Sequence, residues 1–419
     1  MHWFSLFNAI SFQIVLGPPV ILYAKSLGAS STVIGVMASF VPLVMVLQLP
    51  AARLLHVYGY KKFMKAGWGL RSIFLFMVAA IPLLIFLDNM SKLILLAGAL
   101  FVFNVLRGIA TAAWMPWLAS IIPDSEQAEF FSRDHMFLFG GSLVSLVASA
   151  AVVSGNPGSL EFSMVFFLSA MTGVASIWFI TKIPEPPPGD AHDSSTHGVP
   201  WRQMLRYPPF FGALIFNIYF LFVVGSLGVF SVEYLHESPD FTTSSVLFLS
   251  GLSFLGSLFV LSFLGSKIKH LGTKPVIAGA VVLFGLVIGG WFLVASGVWG
   301  CSYRVIAALN VLAGVAGAAF NAANARLLFG SVPALGRNHF FALFTVLTQL
   351  GMGISPVTWG LMLDFIGTYE SVTGAIAWHR HSFYFGILFL MTGVAIGLAS
   401  ILREPVLKKE ENPVLPDSA

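Results

Sequence analysis

The stretch Asn104-Val-Leu-Arg-Gly-Ile-Ala-Thr-Ala-Ala-Trp-Met-Pro-Trp117 places one charged side chain, Arg107, near the middle of an apolar run that extends from about residue 93 to 122. A charge at the centre of a bilayer costs roughly 2.5–3.5 kcal/mol on insertion scales, and an arginine cannot lose its charge to avoid that cost. Asn104, Arg107 and Trp114 recur at helical spacing and share one face. We therefore predict a spanning helix whose polar face points towards protein or water.

The composition is that of an integral membrane protein. Of the 419 residues, 57% are hydrophobic and 10% are charged, whereas a soluble globular domain has about 25% charged residues. The mean hydropathy is +0.87. The net charge of +4 comes from basic residues in loops, a pattern typical of membrane topology, so we expect no nucleic-acid partner. The single cysteine, Cys301, allows no disulfide within the chain.

Twelve apolar runs are long enough to cross a bilayer as helices, which takes about 20 residues each. They cover residues 3–24, 32–54, 64–87, 93–122, 135–155, 161–182, 209–233, 243–265, 274–296, 302–330, 340–365 and 382–402. An open sheet is excluded because lipid would leave its edges without hydrogen-bond partners. The predicted fold is an all-α membrane protein with twelve transmembrane helices in two six-helix halves.

The basic residues predict the orientation of the chain in the membrane. Arg71 and Arg107 lie within apolar runs, and most of the other Lys and Arg residues fall on the side that holds both termini. The opposite side holds only four: Lys25, Lys92, Arg304 and Arg380. Because Lys and Arg concentrate in cytoplasmic loops, both termini are predicted to be cytoplasmic.

A polar, proline-containing stretch after the sixth apolar run divides the chain. We predict an N-terminal half at residues 1–183, a cytoplasmic linker at 184–208, a C-terminal half at 209–403 and a cytoplasmic tail at 404–419. Within the linker, residues 201–206 are expected to form a short interfacial helix.

The two halves repeat one another in sequence. Leu6-Phe7-Asn8 matches Ile215-Phe216-Asn217, and the stretch from Asn104 matches Asn310-Val-Leu-Ala-Gly-Val-Ala-Gly-Ala-Ala-Phe320. The Phe-Phe pairs at 130–131 and 340–341 recur at nearly the same separation. Two repeated six-helix halves are a known plan for transporters, with the solute site between the halves. Ala313 occupies the position of Arg107 in the second copy.

The loops after the second and eighth apolar runs share a spacing. They read Ala52-Arg-Leu-Leu-His-Val-Tyr-Gly-Tyr-Lys61 and Gly265-Ser-Lys-Ile-Lys-His-Leu-Gly-Thr-Lys274. This resembles the signature loop of the major facilitator superfamily, Gly-x-x-x-Asp-x-x-Gly-x-Lys/Arg, although Ala52 stands for its first glycine and His56 and Lys269 for its aspartate. The resemblance predicts two gating loops that contain Ala52, His56, Gly59, Lys61, Gly265, Lys269, Gly272 and Lys274. Gly59 and Gly272 are expected to turn at positive φ.

The resemblance extends over essentially the whole chain, and the loop after the fourth run is similar to that of a poorly characterised group of bacterial permeases. It implies a multi-pass protein of the bacterial cytoplasmic (inner) membrane, with the first, fourth, seventh and tenth runs around a central cavity. Deep polar residues are concentrated in those same runs. The candidate solute-binding residues are Arg107, Asn104, Asn310, Asn8, Gln13, Asn217, Tyr219 and Trp114. The alternative is hydrogen bonding between helices, which contributes about 0.6–2 kcal/mol per contact, or core packing for Trp114.

Other charged residues are interpreted as structural. Arg71 is expected near the cytoplasmic side with its head reaching the interface. Arg133 and Asp134 are expected to form an exposed ion pair, and His379 and His381 to be solvated in an outer loop. Because no Asp, Glu or His lies in mid-span, we expect facilitated diffusion, solute exchange, or coupling through the span-end acids. Those acids are Glu233 and Asp364.

The predicted function is secondary transport of a small organic solute by alternating access, with an anionic group on the solute as partner of Arg107. The alternatives are a non-transporting membrane sensor on the same scaffold, or a lipid flippase. The sequence has no zinc-protease, serine-hydrolase or nucleotide-binding motif, so we expect no enzyme activity, no cofactor and no metal. The expected partners are the solute and membrane lipid, and the chain is expected to be a monomer.

Overall fold

The computed structural model describes residues 1–153, 157–185, 201–332 and 337–402. Within these ranges twelve helical segments are long and apolar enough to cross a membrane, as predicted. They are His2–Ser26, Ser31–Ala52, Tyr60–Leu83, Asn89–Ile121, Glu129–Val152, Ser159–Thr181, Pro208–Glu237, Thr243–Phe263, Thr273–Ala295, Tyr303–Ser331, His339–Ile366 and Arg380–Ile401. We call them the first to twelfth spans. Most of the predicted linker and the tail lie outside the described residues.

Several spans consist of more than one helix. The helices of the first half are His2–Val15, Pro18–Ser26, Ser31–Leu43, Gln48–Ala52, Leu55–Tyr58, Tyr60–Ala80, Asn89–Thr111, Trp114–Ile121, Asp124–Val152 and Ser159–Thr181, with 3₁₀ turns at Val44–Leu47 and Ile81–Leu83. Those of the second half are Pro208–Val224, Leu227–Glu237, Thr243–Leu271, Thr273–Ala295, Tyr303–Ser331, Arg337–Ile366 and Arg380–Ile401. The helix predicted at the end of the linker is present at Trp201–Arg206.

A two-stranded antiparallel hairpin, Ser371–Thr373 and Ile376–Trp378, joins the eleventh and twelfth spans. It turns at Gly374, whose φ is 64°, and the amide of Ala377 donates to the carbonyl of Ser296. This contact holds the hairpin against the loop that follows the ninth span. The hydrophobicity pattern did not predict these strands.

The bundle has two ends that differ in how the halves meet. We call them the linker end, where the first span begins and the linker lies, and the Glu237 end, where the seventh span ends. At the linker end the buried apolar residues form one cluster within each half, around Trp68 and Trp117 in the first and around Phe210 and Phe340 in the second. Towards the Glu237 end one large cluster joins both halves.

Small residues allow the halves to approach closely at the Glu237 end. The second span packs along the eleventh, where a Cβ added at Gly35 would overlap the carbonyl oxygen of Pro356 and one added at Gly360 would overlap that of Ser31. The fifth span packs along the eighth, where Gly251 faces the side chain of Leu146 and Ser244 donates to the carbonyl of Ala150 at 2.6 Å. Close backbone contact of this kind is typical of helix interfaces in membranes.

Candidate functional site

A cavity of about 440 Å³ lies between the halves and is lined by the first, fifth, seventh, eighth, ninth and tenth spans. Its size is that of a small-molecule site, which is typically a few hundred cubic ångströms. Its polar lining side chains are Gln13, Ser231, Ser250, Ser253, Ser257, Asn310 and Asn321. Two of the predicted residues, Gln13 and Asn310, therefore face a common space from opposite halves.

Two of the interrupted spans, the first and the seventh, have their breaks at this cavity. The first span breaks before Pro18, which has no amide hydrogen, and the seventh breaks between Val224 and Leu227. Gly17, Pro18, Gly225 and Leu227 all line the cavity. Non-helical backbone at membrane depth is tolerated where it lines a cavity, and broken helices of this kind form solute sites in transporters. The breaks fall at equivalent places in the two halves.

Arg107 lies on the fourth span and is only partly exposed. Its guanidinium carbon is 4.8 Å from the centre of the Phe12 ring, close enough for a cation–π contact. Its Nη1 is buried and makes no hydrogen bond. The Phe12 ring thus stabilises the charge of Arg107, while Nη1 remains an unsatisfied donor. Within the described part of the chain, Arg107 forms no ion pair with an acid.

Arg71 does not extend to the membrane interface as expected. Its side chain is fully buried, with the guanidinium carbon 4.0 Å from the Trp68 ring and 4.6 Å from the Phe12 ring. Nη2 donates to Oδ1 of Asn8 at 2.7 Å, while Nε and Nη1 have no partner. Arg71 and Arg107 therefore contact the same aromatic ring, and the N-terminal half holds two deep positive charges rather than one.

The amides of the remaining candidates are largely used within their own helices. Asn104 and Asn217 are fully buried; each donates to the carbonyl four residues earlier, and each Oδ1 is unpartnered. Asn104 lines a separate small cavity that shares Leu16 and Ile21 with the central one. Asn310 donates to the carbonyl of Ile306 at 3.0 Å.

Two aromatic candidates lie apart from the central cavity's lining. The hydroxyl of Tyr219 donates to the carbonyl of Met391 in the twelfth span at 3.0 Å. The ring of Trp114 packs against Phe4 at 4.7 Å in the linker-end cluster of the first half. These contacts agree with the core-packing interpretation left open for Trp114.

The eighth span contributes residues that the sequence reasoning missed. Ser250, Ser253 and Ser257 line the cavity, and they recur at helical spacing on one face. That spacing was available as a signal, but serines are common in spanning helices because they bond to their own backbone, as Ser250 does to Val246.

Charged residues at the Glu237 end bind the two halves together. Lys25 of the first span donates to Oε1 of Glu233 at 2.9 Å and to Oε1 of Glu237 at 2.8 Å. Ser31 also donates to Glu233 at 2.6 Å, and Arg380 pairs with Glu237. Glu233 is fully buried, so a carboxylate of one half is neutralised by a cation of the other.

Asp364 makes a second contact between the halves. Its two carboxylate oxygens accept from the amides of Ser31 and Thr32 at 3.0 and 2.8 Å. These amides open the second span, where the helix dipole favours a negative charge. The eleventh span thus caps a helix of the other half.

A second space, of about 500 Å³, lies at the surface of the Glu237 end, lined by Tyr234, Glu237, Tyr369, Glu370 and the segment 379–381. The expectation that His381 is solvated is wrong: it is 2% exposed and its Nε2 has no partner. Among the described residues, no group of three or more His, Cys, Asp and Glu side chains is placed to hold a metal.

One further expectation needs correction. Asp134 does not pair with Arg133: it is buried and accepts from Ser5 at 2.7 Å and from His2 at 3.2 Å, whereas Arg133 pairs with Glu129. Both partners of Asp134 begin the first span, so the contact fixes two helices of one half. Arg326 lies within the tenth span, inside the run predicted at residues 302–330, and its Nη1 is buried and unpartnered.

The two gating-loop glycines adopt the predicted conformation. Gly59 and Gly272 have φ of 73° and 81°, in the region that favours glycine, and they precede the third and ninth spans. The ammonium of Lys274 donates to the carbonyl of Ser400 at 2.5 Å. Ala52, at the end of the second span, and Lys61, at the start of the third, lie at the same end of the bundle as Gly59. The surroundings of Gly265 and the side chains of His56 and Lys269 lie outside the described part of the structure.

Solved structures similar to this chain include transporters. The chain superposes on the inward-open xylose transporter XylE from E. coli with a TM-score of 0.73 at 12% identity, covering 97% of this chain and 96% of that one. A mutant of the nucleoside transporter NupG gives a TM-score of 0.73 at 14% identity, with 96% and 98% covered. At these identities the likeness shows the fold alone.

Sequence comparison gives one curated relative, sialin from Homo sapiens, which is 23% identical over 237 residues. The match covers 50% of this chain and about half of sialin, 47% of its length. The sequence profile of the Major Facilitator Superfamily matches residues 3–303. This range includes both predicted gating loops, the broken first span, and the two arginines Arg71 and Arg107. The chain therefore belongs to the Major Facilitator Superfamily of membrane transporters.

Proposed function

We propose that this protein moves a small organic solute with an anionic group across the membrane by alternating access. The observation that supports the proposal most strongly is the cavity between the halves, lined by the broken helices of the first and seventh spans. A site between repeated halves becomes accessible from each side in turn when the halves rock about it. Gln13 and Asn310 supply neutral hydrogen bonds from opposite halves.

Arg107 is proposed to bind the anionic group. A planar guanidinium binds a carboxylate or phosphate through two parallel hydrogen bonds, and Nη1 of Arg107 has no hydrogen-bond partner. Arg107 is not among the residues that line the central cavity in this state, so the proposal requires the solute to reach it beside Phe12. Asn104 lies one helical turn away on the same helix. Its unpartnered Oδ1 cannot bind an anion, because an amide oxygen only accepts hydrogen bonds. We therefore assign Asn104 to the shape of the adjoining small cavity.

The state described is proposed to be open towards the cytoplasm. Ion pairs and small residues join the halves at the Glu237 end, while each half has its own apolar cluster at the linker end. The distribution of basic residues supports cytoplasmic termini, so the linker end would face the cytoplasm of the bacterial inner membrane. A sensor on this scaffold would bind solute without flux.

The test uses purified protein in vesicles. Anionic metabolites are screened for thermal stabilisation, and those that bind are tested in counterflow. We expect Arg107→Ala to abolish flux and Arg107→Lys to reduce it, because a point charge loses the planar geometry. The matched control is Arg304→Ala, at an exposed arginine near the Glu237 end. Wild-type flux in Arg107→Ala at equal abundance, or binding without counterflow, would contradict the proposal.

A further inference from the structure

Arg71 is a fully buried cation that no acid neutralises in the described part of the chain. Its surroundings are the aromatic rings of Phe12, Trp68 and Phe103 and one neutral hydrogen-bond acceptor, Oδ1 of Asn8. Cation–π contacts and a single amide oxygen offset part of the cost of burial. They leave the positive charge itself in place, together with two unpartnered guanidinium nitrogens.

The position of this charge relates it to the proposed solute site. The Phe12 ring is in contact with both guanidinium groups, at 4.6 Å from Arg71 and 4.8 Å from Arg107. Two like charges on opposite sides of one ring repel one another, and the repulsion is stronger in a partly buried environment than in water. An anion at Arg107 therefore experiences the field of a second cation a short distance behind it.

Burial prevents Arg71 from acting as the first contact of a solute. Arg107 is partly exposed whereas Arg71 is not exposed at all, so a solute meets Arg107 and is influenced by the charge of Arg71 across the Phe12 ring. Lys25 and Arg380, at the Glu237 end of the bundle, differ because each has carboxylate partners. Neither Arg71 nor Arg107 is among the residues that line the central cavity, but the Phe12 ring between them belongs to the residue next to Gln13, which does line it. Two positive charges beside the cavity would favour a solute with two negative charges.

We propose that Arg71 gives the solute site a preference for dianions, such as a dicarboxylate or a phosphate monoester, over monoanions. This inference rests on the proposed function, since it assigns the charge of the solute that Arg107 binds. Arg71 acts as a positioning and specificity residue: it contributes charge, and it need not touch the solute.

Asn8 provides a variant that neutralises Arg71 without removing it. Its Oδ1 already accepts from Nη2 of Arg71, so Asn8→Asp introduces a carboxylate of the same shape at hydrogen-bond distance. The pair formed would cancel the charge of Arg71 while its packing stays intact. The matched control is Asn217→Asp at the repeat-equivalent position, where the Oδ1 atom is buried and unpartnered.

The experiment measures thermal stabilisation of the full chain at constant ionic strength by succinate, phosphate, butyrate and chloride. We expect wild type to respond to succinate or phosphate at about tenfold lower concentration than to the monoanions, as one added charge–charge attraction predicts. A stronger response to succinate would indicate a dicarboxylate solute, and a stronger response to phosphate would indicate a phosphate monoester. Asn8→Asp and Arg71→Met should abolish this preference, and Arg71→Lys should keep it.

The outcomes separate the inference from the proposed function. A dianion preference that persists in Asn8→Asp overturns the inference, and so does a wild type that binds mono- and dianions equally. If Arg71→Met fails to fold, Asn8→Asp still decides, because it retains the arginine. The proposed function fails separately, when no anion that binds shows counterflow or when Arg107→Ala binds and transports as wild type does.

Discussion

The two ends of the bundle differ in what holds their helices together. At the Glu237 end the halves meet through charged and small residues: Lys25 pairs with Glu233, and Gly35 lies against the backbone at Pro356. At the linker end each half packs its own aromatic core, around Trp117 in one and Phe340 in the other. Ion pairs, close backbone contacts and the large apolar cluster all join the two halves at the Glu237 end, whereas no such shared cluster is found at the linker end among the described residues. Under the proposed alternating access, the Glu237 end is therefore the contact that would have to open, with each half moving as a unit.

The largest effect should come from filling the space at Gly35. A Cβ at this position would overlap the backbone of the other half, and backbone cannot yield as a side chain can. We expect Gly35→Ala to shift the protein towards a state open at the Glu237 end. Spin labels at Ser26 and Asp240, which are exposed and lie one in each half, should move apart.

Gly314→Ala is the control, because it makes the same kind of overlap within one half. A Cβ at Gly314 would overlap the carbonyl of Ser253, and both residues belong to the second half. Overpacking of this sort costs about 1–3 kcal/mol, so the variant should lose thermal stability while the Ser26–Asp240 distance stays unchanged. If both glycine variants only destabilise the protein, the Glu237 end is not a separable contact.

A smaller shift should follow from removing the buried carboxylate of Glu233. Glu233→Gln leaves Lys25 and Arg380 with only Glu237 as acidic partner, which weakens the contact between halves. Removing one partner of a buried ion pair costs about 3–5 kcal/mol. Because Glu237 remains as a partner, we expect Glu233→Gln to lower the free energy of opening at the Glu237 end by about 1–3 kcal/mol. The same pair of spin labels measures it.

Lys25→Met and the double variant complete a cycle that isolates the pair. The double variant should lie closer to wild type than the sum of the single variants, because neither charge is then left alone. Glu129→Gln is the matched control, since the pair of Glu129 with Arg133 is exposed and within one half; such pairs contribute about 0–1 kcal/mol. Additive single effects would show that Lys25 and Glu233 do not hold the halves together.

The sequence predicted the architecture well because lipid imposes a strong constraint on it. The twelve spans were found from the length of the apolar runs. The turns at Gly59 and Gly272 were predicted from the spacing that the two loops share, and both glycines adopt positive φ, which glycine tolerates best. Partner choice was harder to predict. Arg71 and Asp134 have partners from other helices, and which helices lie side by side cannot be derived from the hydrophobicity of each.

The constraint imposed by lipid also predicted part of the candidate site. Gln13 and Asn310 line the cavity, as polar groups in lipid must face protein or water. Asn8 and Tyr219 satisfy the same rule in another way, by bonding to Arg71 and to the carbonyl of Met391. The rule requires a partner for each polar group, and it does not distinguish a solute from a neighbouring helix.

The smallest expected effect concerns Cys301, in the loop between the ninth and tenth spans at the Glu237 end. Burial raises the pKa of its thiol. Because the thiolate is the reactive form, a raised pKa leaves less of it at neutral pH. We expect slow reaction with a membrane-impermeant maleimide, with the rate rising as pH increases to a midpoint above that of an ordinary cysteine.

The same measurement tests orientation and sharpens the comparison of the two ends. In intact cells the reagent should reach Cys301 from outside, because the predicted cytoplasmic location of the termini would place the Glu237 end there. The pKa of Cys301 is affected by Tyr234, Ser238 and Asp240, all in the second half, so Gly35→Ala should leave its rate nearly unchanged. The control combines Cys301→Ser with Ser302→Cys at the exposed neighbouring position, and it should react faster at every pH. Labelling only after the cells are permeabilised would reverse the orientation, and a rate that rises sharply in Gly35→Ala would show that the second half does not move as an intact unit.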